Sequence, residues 1–399
     1  MSKGAVASKE NMVTTRAPEP SSVKLKQITL SFLRLGATAF GGPAAHIAMM
    51  EEEFVRRRGW ISHPEFLDML GASNLVPGPS STEMAIHIGH QRAGRKGLVL
   101  AGVSFIVPAM LMVMAFAWAY LRFRSLPAIQ TGLYGVKPVI IAVILQAVWG
   151  LGRAALKDGF LRAVGLVATI AALGGINVLV VLLTAGLIAM ARVAGGESRW
   201  SGHQAASFVA LLPAGAALSA VMPISLWDLF LVFLKFGAVI FGSGYVLLAF
   251  LQADLVNRLH WLTQSQLLDA VAVGQVTPGP VFTTATFIGY LLGGIPGALV
   301  ATVGIFVPGF LFVAASHPLI PRIRNSRMTG AFLDGVNVGA VALMTAVTWQ
   351  LGRAAVVDIP TAVIGALSAI ALIALRLNSV WLLGAGAFLG FAVQHWLGA

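Results

Sequence analysis

No cysteine occurs among the 399 residues, and only 15 residues are acidic. The first absence excludes a disulfide framework and any Cys-ligated metal or cluster, and it leaves the redox compartment unreadable. The scarcity of charge, 11% against 57% hydrophobic, excludes a soluble globule, whose surface would lack polar cover. A mean hydropathy of +0.85 puts the chain in a lipid bilayer. The net charge of +12 comes from 27 Lys and Arg scattered between apolar runs, without a continuous basic face or interleaved aromatics. Nucleic acid is therefore not the expected partner, and these residues read as interfacial anchors and topology signals. Residues 1–27 are polar with no apolar core, so a disordered tail is expected there and not a cleaved signal peptide.

What the chain does have is a doubled pattern. Phe32, Leu33, Arg34, Gly36, Phe40 and Gly41 return as Phe233, Leu234, Lys235, Gly237, Phe241 and Gly242, and Pro77-Gly78-Pro79 returns as Pro278-Gly279-Pro280, all shifted by 201. Trp60 and Asp68 return as Trp261 and Asp269. Beyond a one-residue slip, Gly89, Gly94 and Gly97 match Gly289, Gly294 and Gly297, and Leu-Gly-Arg-Ala-Ala at 151–155 is repeated letter for letter at 351–355. So long a period marks a duplicated domain and not a solenoid. The expected organisation is a tail at 1–27, a first repeat at 28–192, a linker at 193–227 and a second repeat at 228–399.

Apolar runs long enough for a hydrocarbon core of ~30 Å fall at 28–50, 97–121 and 133–151, followed by a close pair at 160–173 and 176–190. The second half repeats them at 228–250, 297–316, 331–351, 361–375 and 379–396. Between the first two runs of each half lies a less apolar stretch, 65–90 and 266–290, cut by Pro-Gly-Pro. Two prolines around a glycine cannot continue a helix, so each stretch is expected to be two half-helices. The basic loops swap places: Arg92, Arg95 and Lys96 precede the next run in the first half, whereas residues 291–297 carry no charge. The fold class expected is an all-α polytopic membrane protein, built from two homologous halves as inverted-topology repeats with broken or re-entrant helices at Pro-Gly-Pro. The loop at 92–96 should face the cytoplasm.

Basic side chains within apolar spans are costly and need a reason. Arg34 and Lys235 hold matching places, from which inverted halves would bring two positive charges toward one small dianion; snorkelling to the interface is the competing reading. Lys137 is a third, but its counterpart is Asn337. Gly41 and Gly42 in Phe-Gly-Gly-Pro, with Gly78 and Gly279 in the Pro-Gly-Pro breaks, would leave backbone N–H groups at the start of new half-helices, where anions bind. Ser80 and Ser81 follow the first break and Thr283 and Thr284 the second, placed either to donate to an oxyanion or to cap the half-helix. Asn74 and Gln275 are matching amides just before the breaks, and Glu83 is a carboxylate just after the first, the place to look for proton coupling. Glu53 and Asp254 precede Arg57 and Arg258 by one helical turn, an ion-pair spacing. His87 and His90 share a helix face without a third ligand, so no metal or other cofactor is expected. Gly289 and Gly293 read as close helix packing.

Together these motifs resemble the chromate ion transporter family, whose longer members are two homologous halves in one chain. The resemblance rests on Phe-Gly-Gly-Pro at 40–43, the acidic and basic run at 51–58 with Trp60, Pro77-Gly78-Pro79 and the doubled Leu-Gly-Arg-Ala-Ala. It implies efflux of chromate, with sulfate as the close structural mimic; the location expected is the cell (inner) membrane, and since no nucleophile–base pair, metal set or cofactor motif lies on the spans, no enzyme is expected. In the second half Phe-Gly-Gly-Pro becomes Phe-Gly-Ser-Gly at 241–244, which breaks the equality of the halves. The residues alone reach only a transporter of a small anion, in which an oxyanion uptake carrier, a homodimer and, less readily, a membrane-embedded enzyme stay open.

Overall fold

The computed structural model describes residues 21–73, 76–195, 224–241, 244–316 and 327–397, so the expected tail, Asn74 and most of the linker lie largely outside it. The described residues form helices and no strand. The first half contains α1 (Ser21–Thr38), α2 (Gly42–Met50, running on as a π-helix over Glu51–Arg57), α3 (His63–Ser73), α4 (Ser80–Phe123), α5 (Pro127–Ala155), α6 (Gly159–Leu173) and α7 (Val178–Ala194). The second repeats them as α8 (Leu226–Val239), α9 (Leu247–Phe250, again with a π-helix over Leu251–Arg258), α10 (Gln264–Val276), α11 (Thr284–Ser316), α12 (Arg327–Ala355), α13 (Ile359–Ile373) and α14 (Ser379–Leu397). Among the described residues, four helices are long and apolar enough to cross a membrane: Ser80–Phe123, Pro127–Ala155, Val281–Ala315 and Arg327–Ala355.

Two expectations from the sequence need correcting. The run at 28–50 is not one span: Gly41 and Gly42 take φ of 102° and 76°, a left-handed backbone open to glycine, and this ends α1 at Thr38. The chain then returns beside α1, bringing the Phe54 ring to 4.8 Å from that of Phe32. Likewise α8 stops at Val239. The second correction concerns Gly293, which is a turn residue and not a packing residue. Helices α4 and α11 each leave helical geometry at one place, Ala93-Gly94 (φ −147° and 60°) and Gly293-Gly294 (φ −146° and 62°). Gly89 then lies so close to Gly97 that a side chain on it would collide with the Gly97 carbonyl, and Gly289 meets Gly297 in the same way. Thr286 and Thr302 share a hydrogen bond of 2.7 Å across the α11 fold. Eight residues of straight helix rise about 12 Å, so each is a short arm laid antiparallel on a long one.

The long helices of the two halves cross in opposite directions. Gly152 of α5 sits beside Val341 of α12, and its equivalent Gly352 sits beside Ile141, so these matching helices run antiparallel and the repeats are inverted. The halves also exchange partners. Helices α6 and α7 pack on α12, whereas α13 and α14 pack on α5. Gly135 allows α5 to touch the Gly386 backbone, and Gly335 allows α12 to touch that of Ala185, small-residue contacts that give close helix approach in lipid.

The two halves are not packed equally. Helix α10 rests on α5, α11 and α12, while α3, among the described residues, packs mainly on α4 and the π-helix that precedes it. Leu67 of α3 is 49% exposed and its counterpart Leu268 is 0% exposed. The core divides accordingly: one cluster joins α8–α11 to the α5/α12 scaffold, and a separate one, including Phe32, Phe54, Phe66 and Phe105, holds the start of the first half together.

Candidate anion site

The two breaks of each half meet the breaks of the other. The Gly78 N–H donates to the Ile240 carbonyl at 2.7 Å, and the Gly279 N–H donates to the Ala39 carbonyl at 2.8 Å. Ala39 and Ile240 are equivalent positions, as are Gly78 and Gly279, so this exchange obeys a two-fold relation. Each Pro-Gly-Pro therefore closes onto the carbonyl left free where α1 or α8 ends. His46 Nε2 lies 3.0 Å from the same Ala39 carbonyl. These glycine N–H groups, expected to be open to an anion, are already used.

The hydroxyls after the breaks divide between the halves. Thr283 and Thr284 donate backward, to the carbonyls of Pro280 and Val281, each at 2.8 Å. Ser80 and Ser81 are buried in the first turn of α4, whose preceding residue Pro79 provides no side-chain cap. Glu83 is fully buried one turn further on, and among the described residues neither of its carboxylate oxygens has a hydrogen-bond partner. Its Oε1 presses against Gly78 where a side chain would sit, and Gly309 of α11 lies beside both. At the equivalent place is Thr284, so the halves differ in chemistry here.

Arg34 and Lys235 are not brought together. Each faces the acid of its own half. Lys235 Nζ lies 2.5 Å from Asp254, which Arg258 also reaches at 3.0 Å. In the first half Glu53 pairs with Arg57 at 2.8 Å and Arg58 at 2.6 Å. Partial burial, the largest influence on Glu53, pushes its pKa up, but Arg58, Arg57 and Arg34 together hold it below the usual carboxylate range. Arg34 itself is exposed. Lys137 reaches across to α10, bonding Ser265 at 2.7 Å and approaching Asp269 at 3.8 Å, while Tyr120 donates to Asp269 at 2.8 Å.

Gly41 and Gly42 lead into α2, which has Pro43 in its first turn and no side-chain cap. From the second half, the Tyr245 hydroxyl stands 3.7 Å from the place of a Cβ on Gly42 and 3.5 Å from Gln275 Oε1. Gln275 Nε2 is buried and has no partner among the described residues. Tyr245 escapes a reading based on repeats because its counterpart is Ala44; its signal is its rarity, one of only four tyrosines.

A two-fold frame of broken helices, with glycine-lined ends at its centre, is the setting in which the comparisons with known proteins fall. The chromate transporter family model matches residues 26–190 and again 227–391. The chain belongs to the chromate transporter family. It is 34% identical to a chromate transport protein of Cupriavidus metallidurans over 380 residues, 92% of each chain. It is 32% identical to one from Pseudomonas aeruginosa over 378 residues, 90% of this chain and 88% of that one. No solved structure matches it. Membership in this family makes the protein a multi-pass membrane protein of a transporter family.

Proposed function

We propose that this protein carries chromate out of the cell across the inner membrane, confers chromate resistance, and takes sulfate as the mimic that competes for its site. The observation that carries the reading is the reciprocal stitching of Gly78 to Ile240 and Gly279 to Ala39, which holds four broken helix ends together between inverted halves. Transporters built from inverted repeats place small-ion sites at such ends, where half-helix dipoles replace water. Similarity to the chromate transport proteins supports the choice of ion. In this reading both hairpins of each half, α1 with α2 and α3 with the short arm of α4, enter and leave on one face of the membrane. Arg34 supplies positive potential near the first break; Lys235, with Asp254 beside it, contributes less. Glu83 is the group whose protonation is coupled to transport, since a buried carboxylate with no partner is costly unless it binds a proton.

The test is flux of radiolabelled chromate in vesicles of known orientation, with pH and voltage gradients imposed separately. Chromate should move from the cytoplasmic face outward, sulfate should inhibit it, and Glu83→Gln should remove the response to pH while leaving protein levels unchanged. Saturable movement only in the inward direction would identify an uptake carrier instead.

A further inference from the structure

We infer that the oxyanion is bound at one asymmetric cradle, formed where the Gly41-Gly42 turn and the first turn of α2 meet Tyr245 and Gln275 of the other half. The inference rests on the transport reading above but assigns the binding groups independently of it. Four observations converge. Gly41 and Gly42 are both left-handed, so the chain turns sharply into a nine-residue helix that continues into the π-helix. Among the described residues no side chain caps that first turn, whose N–H groups carry the positive end of the helix dipole. Gln275 is 8% exposed with its Nε2 unpartnered among the described residues, a buried donor that a ligand oxygen would satisfy. Tyr245 lies between the two, within reach of Gln275 and next to Gly42.

The chemistry is that of a small tetrahedral oxyanion, which offers acceptors only. Every group around the cradle can donate: backbone N–H, amide N–H and phenol O–H. The Tyr245 hydroxyl, 3.5 Å from Gln275 Oε1, makes a long bond that it can exchange for a charged acceptor. Gly41 and Ala44 are exposed, so an ion has a way in. Glycine at 42 leaves space between helix and phenol that a side chain would narrow.

The experiment uses the purified full chain in detergent and measures sulfate and chromate affinity by titration calorimetry, with thermal stability followed in parallel. Tyr245→Phe removes one oxygen and keeps the ring packed; it should weaken both anions about tenfold, the usual loss of one hydrogen bond to a charged group. Gln275→Leu should weaken them to a similar degree. Tyr134→Phe, which deletes a hydroxyl bonded to Asp358 and not to any group of the cradle, should bind as the wild type does. Wild-type affinity in a stable Tyr245→Phe protein overturns the cradle, even when the wild type transports chromate. A wild type that neither binds nor transports either anion overturns the functional reading itself.

Discussion

At the scale of single residues, equivalent positions carry unequal burdens. Lys235 holds Asp254 at 2.5 Å, and the acid's side chain is only 9% exposed, whereas Arg34 is exposed and acts on Glu53 through its charge. Removing one member of a buried pair leaves the other charge poorly solvated, though Arg258 remains at 3.0 Å to limit the damage. Lys235→Gln should therefore lower stability by about 1–3 kcal/mol, with Arg34→Gln within about 0.5 kcal/mol of wild type. Thermal unfolding of the two purified variants measures the difference. Equal melting temperatures would return Lys235 to the role of an unpaired substrate cation.

At the scale of elements, the short linkers between paired helices show how local chemistry sets long-range geometry. Asp158 caps α6 through the Leu161 N–H, and Asp358 caps α13 through the Thr361 N–H while accepting from Tyr134 at 2.6 Å. Both carboxyls lie below the usual range: Asp158 chiefly through the Leu161 N–H, Asp358 chiefly through the Tyr134 hydroxyl. A depressed folded-state pKa stabilises the protein above the unfolded value near 3.9, and the contribution is lost as pH falls through the lower folded value. Asp358→Ala should cost about 1 kcal/mol at neutral pH, Asp358→Asn much less because it can still cap, and the Ala penalty should shrink as pH falls through the lowered folded value, toward what a neutral carboxyl still contributes as a cap. Melting curves of both variants across that range check the sign. Such elements were legible in the sequence where the repeat marked them, in the matching long helices and the inversion, whereas the end of α1 at Thr38 lay hidden inside an apolar run at 28–50 that reads as one span. The fold-back of α4 and α11 was not legible either, because Gly89, Gly94 and Gly97 suit close packing and a turn equally well. Gly41 and Gln275 were legible as site candidates through repetition, and Gly42 and Glu83 through their place beside the repeated motifs, whereas Tyr245 has Ala44 as its counterpart and became visible only through its place beside Gly42.

At the scale of the whole molecule, two halves with one ancestry stand in two arrangements. The second half docks α10 on the α5/α12 scaffold, held by Lys137 and Tyr120 at Asp269; the first half carries Asn337 where Lys137 would be, and α3 leaves Leu67 exposed. If inverted repeats that differ in this way exchange arrangements, the docked half opens as the open half docks. The chain has no cysteine, so single cysteines report on this directly. In detergent, Leu67→Cys should react with a small maleimide far faster than Leu268→Cys, since one position is 49% exposed and the other 0%. Adding Lys137→Ala removes the bond to Ser265 at 2.7 Å and the cation near Asp269, which should loosen α10 and raise labelling at 268. The same change should leave or lower labelling at 67 if the halves exchange. Equal reactivity at 67 and 268 in the otherwise wild-type chain would mean that the two bundles dock alike in solution, and a rise at both positions on losing Lys137 would indicate general loosening instead of exchange.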